Sequence, residues 1–421
     1  MSFSRNTSRL FDGGQNGRFG MDVAVWKNYA VIANSGHSSY TGRVQIFKTT
    51  NGTSWTKQDD MKPTSNIENN DYFGQVVDMY EDLVIVSGYS RLGATIFKKD
   101  SNAETWSQVM DQHEPNGSSN TYYGISCAIY GDYAYVSDET KDKIHIYKTT
   151  DSGSSWSSHD NITAISQDGI TYITANDTYV VGMYSSGTYF QVWKKDSGTD
   201  TWTAQISGGK NCGGSSVKQV RIYGNWIMVG DNAHNNKGVV KIYEISDDGT
   251  TFSLGTPTTI EGGTYDEYRG IDIYNNYLVI GDPERKNVKV YKYSDSSWSV
   301  VQTISAPDSN LRQEFGYSVS IYENYLFIGD YNEKFANGIN GNYGAVHTYV
   351  LSGDDNAVVT AEQQAASSAG VSSGDITNLK TRGDSMTQGS TVDITDMTFN
   401  TSSKRHKSLS FIFSRNTDVT K

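Results

Sequence analysis

The chain has 421 residues, with 47 acidic against 35 basic side chains and a formal net charge of −12. That balance excludes the basic surface a nucleic-acid binder needs to neutralise phosphates. With 41 Gly, 29 Tyr and only 5 Pro, the composition is too aromatic for disorder and too rich in turn formers for a helical bundle, which leaves an all-β protein.

In chain order, the first element is the peptide FSRNTSRLF beginning at Phe3, 16 residues before Phe19. Seven segments then align without gaps: FGMDVAVWKNYAVIA from Phe19, FGQVVDMYEDLVIVS from Phe73, YGISCAIYGDYAYVS from Tyr123, GITYITANDTYVVGM from Gly169, SVKQVRIYGNWIMVG from Ser216, EYRGIDIYNNYLVIG from Glu267 and FGYSVSIYENYLFIG from Phe315. Their anchors Tyr29, Leu83, Tyr133, Tyr179, Trp226, Tyr277 and Tyr325 lie 54, 50, 46, 47, 51 and 48 residues apart, the period of a propeller or solenoid.

One column of the alignment reads Val23, Val77, Cys127, Ile173, Val220, Ile271, Val319, and the next but one Val25, Met79, Ile129, Ala175, Ile222, Ile273, Ile321. Apolar residues two apart set one face of an inner strand against a core. A two-residue link such as Lys27-Asn28 or Gly131-Asp132 leads into a second apolar run, as a tight hairpin requires. A third strand follows (residues 43–48 in the first repeat), then an aromatic opening a fourth: Trp55, Trp106, Trp156, Trp202, Phe252 and Trp298. Four antiparallel strands repeated seven times predict a seven-bladed β-propeller over residues 1–350. The spacing makes the Phe3 peptide the outer strand of the seventh blade, closing the ring without an open edge.

Residues 351–421 lose the repeat and read as a Ser/Thr-rich, linker-like extension with a short helix at 361–369 and a terminal strand at 408–414. The pentapeptide FSRNT recurs at 413–417. It is read as coincidence or a relic of duplication, with exchange into the N-terminal slot, and hence self-assembly through the extension, as the competing expectation.

The pattern FG-x-x-V-x-I-x-x-x-Y-L-V-I-G, then G-x-V-x-V/I-F/Y-K, then S-W, resembles the FG-GAP-type propeller repeat, which is related in shape to the integrin α-subunit head. The resemblance spans residues 3–350 and implies the propeller fold. The D-x-D-x-D-G calcium loop of integrin-type repeats is absent from the short links between first and second strands, so no metal is carried over with the fold.

Chemistry is sparse. His145 and His347 share an outward polar column, and no histidine pair has zinc spacing. Cys127 sits in the apolar column, and Cys212, in a Gly-rich link, reads as the more exposed thiol; neither belongs to a disulfide framework. No nucleophile-elbow, phosphate-loop or dinucleotide fingerprint occurs, so the chain is expected not to be an enzyme and to need no cofactor. Asp138, Asp231, Asp282 and Asp330 end second strands. Turn capping is the stronger reading, and Asp231, Asp282 and Asp330 remain weak cation candidates. The links between second and third strands and between blades are long and polar, and make a binding face on which Tyr40, Tyr89, Tyr184, Tyr331 and Tyr343 are the candidate contacts. Arg382, Gly383 and Asp384 form a weak interaction motif.

Together these features predict a non-enzymatic structural or adhesion propeller contacting protein or glycan on a virus particle or cell envelope, with no nucleic-acid partner. The alternatives are a lectin-like module using the long-loop face and a polysaccharide-active enzyme with a site spread over blades. No run approaches the ~20 apolar residues of a membrane span, and the opening MSFSRNTSRLFDGG lacks a secretory signal's apolar stretch. The expected location is therefore extracellular or on a virion surface, with a virion component favoured.

Overall fold

The structure is a computed structural model. It describes residues 2–352 apart from 7–8, 12–16, 65–67, 89–92, 104, 113–121, 165–168, 214–216, 235–236, 308–313 and 333–342. The readings made of the extension, including the helix at 361–369, the strand at 408–414, the second FSRNT and Arg382-Gly383-Asp384, lie outside the described residues. Ser2–Leu351 form one compact unit.

Seven antiparallel blades build this unit, each ordered a-b-c-d from the centre outward. The inner a strands are Phe19–Trp26, Val76–Tyr80, Tyr123–Tyr130, Ile170–Ala175, Val217–Tyr223, Ile271–Tyr274 and Ser318–Tyr322. Each a strand packs on the next, and the seventh packs on the first, so the ring is closed. Every b strand is sandwiched between neighbouring blades, which explains its unbroken apolar run; all six residues of Tyr29–Asn34 are buried. The two-residue a–b links are hairpin turns, with Trp26 opposite Tyr29 and Tyr223 opposite Trp226.

Two repeated contacts bind blade to blade. The aromatic that opens a d strand packs on the b strand of the preceding blade: Trp55 on Tyr325 and Phe327, Trp106 on Tyr29, Trp202 on Tyr133, Trp298 on Trp226. The motif Phe-Gly makes the second contact. Phe19, Phe73 and Phe315 are at most 1% exposed between blades, while Gly20 runs at φ +87° with the Ala345 carbonyl oxygen 2.7 Å from where a Cβ would sit. Gly20→Ala therefore combines a left-handed backbone with a clash against main chain. It is expected to destabilise the ring by about 2 kcal/mol or more, read by thermal unfolding.

The d strands are less regular than the repeat alone predicts. Four carry a bulge at the same place, one extra residue at Gln58, Val109, His159 and Val301. Where blades 4 and 5 reach that position the outer strand breaks instead. Trp202–Ala204 is followed by Lys210–Asn211, and Phe252–Leu254 by Thr258–Thr264. In blade 5 the longer partner of strand c is thus Thr258–Thr264, not the segment opened by Phe252. The short Lys210–Asn211 pairing also covers Cys212, which is 3% exposed rather than accessible.

The seventh blade takes its outer strand from the N-terminus, Ser2–Arg5 pairing with Ala345–Ser352. Phe3 is 4% exposed in a cluster with Tyr277, Ile304, Tyr349 and Leu351. The Gln302 side chain acts as a further strand edge: its Oε1 accepts from the Phe3 N–H at 2.6 Å and its Nε2 donates to the Phe3 carbonyl at 2.9 Å. His347 is 1% exposed under this strand, with its ring Nδ1 3.2 Å from an Arg5 guanidinium nitrogen, so its column is covered and not outward-facing.

Candidate functional site

The centre of the ring is polar. Among the described residues, a side chain on one a strand accepts a backbone N–H from the next blade at six of the seven interfaces. Asp22 accepts from Val77 (2.9 Å), Asp78 from Ile129 (2.9 Å), Ser126 from Ile173 (3.1 Å), Gln219 from Ile271 (2.7 Å), Asp272 from Ile321 (2.8 Å) and Ser320 from Val25 (3.1 Å). Each of these residues stands beside the apolar column, on either side of it. Asp22, Asp78, Asp272 and Arg221 all stand on inner strands, in blades 1, 2, 6 and 5, and Arg221 is felt electrostatically by the three carboxyls. Burial pushes the Asp22 and Asp78 carboxyls up to about 6 and raises Asp272 too, against the pull of Arg221 and the N–H donors.

Where the a strands begin, on the long-loop face, two Arg–Tyr groups converge. The Arg18 guanidinium lies 5.4 Å from the Tyr40 ring and 5.7 Å from the Tyr72 ring, themselves 5.1 Å apart. Arg269 lies 5.1 Å over Tyr317, which meets Tyr331 edge-on at 4.4 Å, and its Nε donates to Glu267 at 2.6 Å. Arg18, Arg269 and Tyr317 stand just ahead of the inner strands of blades 1, 6 and 7, which neighbour one another in the closed ring, so the two groups lie at the same end of the axis. Burial raises the Tyr331 phenol, and Arg269 and Arg18 both oppose the shift.

At the other end of the a strands, on the a–b turn face, aromatic side chains circle the axis. Ring centroids are 4.6 Å apart for Tyr80 and Tyr130, 4.9 Å for Trp26 and Tyr80, 4.6 Å for Trp26 and Tyr322, 4.8 Å for Tyr274 and Tyr322, and 5.7 Å for Tyr223 and Tyr274. A groove of about 650 Å³ runs outward from this girdle across blades 1 to 3, bordered by Trp26, Tyr80, Glu81, Lys98, Asp132 and Gly153.

Of the sequence candidates, the loop mouth brings together Tyr40 and Tyr331, both half-buried. Tyr184 is 1% exposed at the end of strand b, packed with Ile170 and Trp193, and Tyr343 is 6% exposed, so neither offers a free ring face. Tyr89 lies outside the described residues. The strand-b aspartates Asp138, Asp231, Asp282 and Asp330 are at most 5% exposed, each within its own blade. Asp282 accepts from the Glu267 N–H at 3.1 Å and Asp330 from the Glu314 N–H at 2.7 Å, capping the entry of their own blades as Asn34 does for Arg18. Among the described residues no three His, Cys, Asp or Glu side chains form a metal-ligand set, and no helix is long and apolar enough to cross a membrane.

The central belt and the girdle escaped the sequence reading. The girdle had a signal, the column Trp26, Tyr80, Tyr130, Tyr223, Tyr274, Tyr322, broken only by Asn176. The belt had none, because its six acceptors are split between two columns, Asp22, Ser126 and Gln219 in one and Asp78, Asp272 and Ser320 in the other.

Three solved structures share the architecture. U3-55K and the RRP9 WD40 repeats each superpose with a TM-score of 0.53 at 10% identity, covering 83% of this chain and 100% of theirs. A putative 6-phosphogluconolactonase from Bacteroides fragilis gives 0.52 at 9% identity, over 68% of this chain and 84% of its own. At such identities the likeness is one of fold alone. No curated protein matches the sequence. The family model described as FG-GAP repeat matches residues 298–349, which run from the d strand of blade 6 to the c strand of blade 7. The chain is thus a seven-bladed β-propeller that carries an FG-GAP repeat over residues 298–349.

Proposed function

We propose that this propeller is a non-enzymatic interaction module of an exposed surface, a virus particle or cell envelope, and that its loop-face mouth engages a protein or glycan partner. One observation carries the reading: guanidinium groups and tyrosine rings from blades 1, 6 and 7 converge where the long inter-strand links gather. Tyrosine and arginine supply large contact area at low entropic cost, which is why such pairs anchor interfaces. Tyr rings beside guanidinium and carboxylate groups also suit a sugar ring and its hydroxyls, which favours glycan as the second reading. Binding is favoured over catalysis because the central aspartates and the strand-b aspartates whose partners are described accept backbone N–H groups that hold the ring together. Polymer degradation abolished by Asp→Asn changes would reverse that preference.

The test is binding of the whole protein to arrayed acidic and neutral glycans and to purified envelope or particle fractions, comparing wild type with Arg18→Ala combined with Tyr331→Ala. The expected result is binding that weakens at least about tenfold in the variant with the melting temperature little changed. Equal binding by both proteins, or none by either, would overturn the assignment of this mouth.

A further inference from the structure

The girdle on the a–b turn face is regular enough that its one interruption is informative. Neighbouring ring planes are inclined by 49°, 45°, 58°, 46° and 41°. One step of a seven-fold ring is a rotation of about 51°, so each aromatic holds nearly the same pose in its own blade. At centroid spacings of 4.6–5.7 Å the rings cannot lie edge to edge, because an aromatic ring is about 7 Å wide across its van der Waals envelope. They stand like paddles, each face turned to the next.

Blade 4 lacks its paddle. The position holds Asn176, whose side chain is committed elsewhere: its Oδ1 accepts from the N–H groups of Thr178 (3.0 Å) and Tyr179 (2.7 Å), and its Nδ2 donates to the Gly224 carbonyl (3.0 Å). This cap accounts for the substitution. In the six other blades the first turn residue has positive φ, as at Lys27, Glu81, Gly131, Gly224, Asn275 and Glu323, whereas Asp177 does not and the turn is built on the asparagine. Tyr130 and Tyr223 therefore each turn one face toward a position with no ring in it, and among the described residues no ring contact joins them. The flanking turns leave room, since a Cβ placed on Gly131 or on Gly224 would meet nothing within 4 Å.

Charge selects the occupant. The a–b turns carry Glu81, Asp82, Asp132, Asp177 and Glu323 against Lys27 alone. Asp177 lies in the gap's own turn and Asp132 in the turn beside it. The groove across blades 1 to 3 includes Gly131 and Asp132, the turn beside the gap, in its lining and offers room for an extended chain. A planar group that can take the missing paddle's pose, tilted against both flanking rings as their neighbours are, and that carries positive charge for the carboxylates is a guanidinium, and an ammonium meets only the second requirement.

We propose that the gap between Tyr130 and Tyr223 is a slot for the guanidinium of an arginine presented on an extended segment of a partner protein. This slot is independent of the loop-face mouth and lies at the opposite end of the axis.

The experiment titrates the whole protein with the peptide Gly-Gly-Arg-Gly-Gly and with its lysine and citrulline counterparts, by calorimetry at low salt. The arginine peptide is expected to bind at least about tenfold tighter than the citrulline peptide, which keeps the plane and loses the charge, with lysine between them. Asn176→Tyr restores the seventh ring and is expected to abolish arginine binding. Should that variant fold poorly through loss of the turn cap, Asp177→Asn leaves the cap intact and is expected to weaken arginine binding about threefold to tenfold. Lys237→Ala, at the b–c link of blade 5 on the far face, is expected to leave arginine binding unchanged. No measurable binding, equal binding of arginine and citrulline peptides, or full binding by a folded Asn176→Tyr variant overturns the proposal.

Discussion

Deleting residues 1–6 is expected to lower the melting temperature of the ring by roughly 10 °C, the largest effect of any short truncation. The deletion removes Phe3 from its buried cluster with Tyr277, Ile304 and Tyr349 and takes away both Gln302 bonds. It also strips the Asn6 N–H from the Thr348 carbonyl (2.9 Å) and leaves the outer edge of blade 7 beyond the Leu10–Val346 bridge unpaired. Phe3→Ala isolates the packing share, expected at about 3–5 kcal/mol. The loss is expected to be equal in the full chain and in a chain ending at Ser352, in keeping with the reading of the second FSRNT as a relic. A clearly smaller loss in the full chain would instead assign residues 413–417 to the vacated slot.

The second large effect is on pH dependence. Burial pushes Asp330 up to about 7 and Asp22 and Asp78 up to about 6, so the folded state keeps protons that the unfolded chain has already released. Stability from these groups is therefore greatest near pH 4, falls as pH rises to about 7, and is flat above. Asp151, Asp200 and Asp247 act oppositely. Hydrogen bonds from Ser155, Lys148 and Lys194 respectively hold them down at about 2, and their contribution disappears only as pH drops from 4 toward 2. Thermal unfolding is expected to show maximal stability near pH 4–5, below the usual neutral range. Asp330→Asn keeps the acceptor for the Glu314 N–H and removes the titration. It is expected to raise stability by about 1–3 kcal/mol at pH 7.5 and to be neutral at pH 4. A melting temperature independent of pH between 4 and 7.5 would contradict the buried carboxyls' assigned role.

The ring itself was legible because its determinants recur. Seven copies of the alternating inner strand, six aromatics that open outer strands and three Phe-Gly pairs sit in register, and Trp55, Trp106, Trp202 and Trp298 make the same contact with the preceding blade. What escaped was whatever depends on one blade differing from another. Tyr184 occupies the strand-b end filled elsewhere by Asn34, Asp138, Asp282 and Asp330, so its burial follows from the register, yet read alone it resembles a loop tyrosine. Cys212 is buried by a two-residue strand too short to leave a pattern. The tyrosines after each inner strand look like ordinary half-buried strand ends. Only the closed ring brings them face to face and gives Asn176 its meaning as a gap.

The most direct test of the account is to fractionate the native source and footprint the protein there by hydroxyl-radical labelling. The account predicts particle- or envelope-bound protein in which Tyr40, Tyr317 and Tyr331 are protected relative to the purified chain. A free cytosolic monomer with the same labelling at those tyrosines in both samples would contradict it.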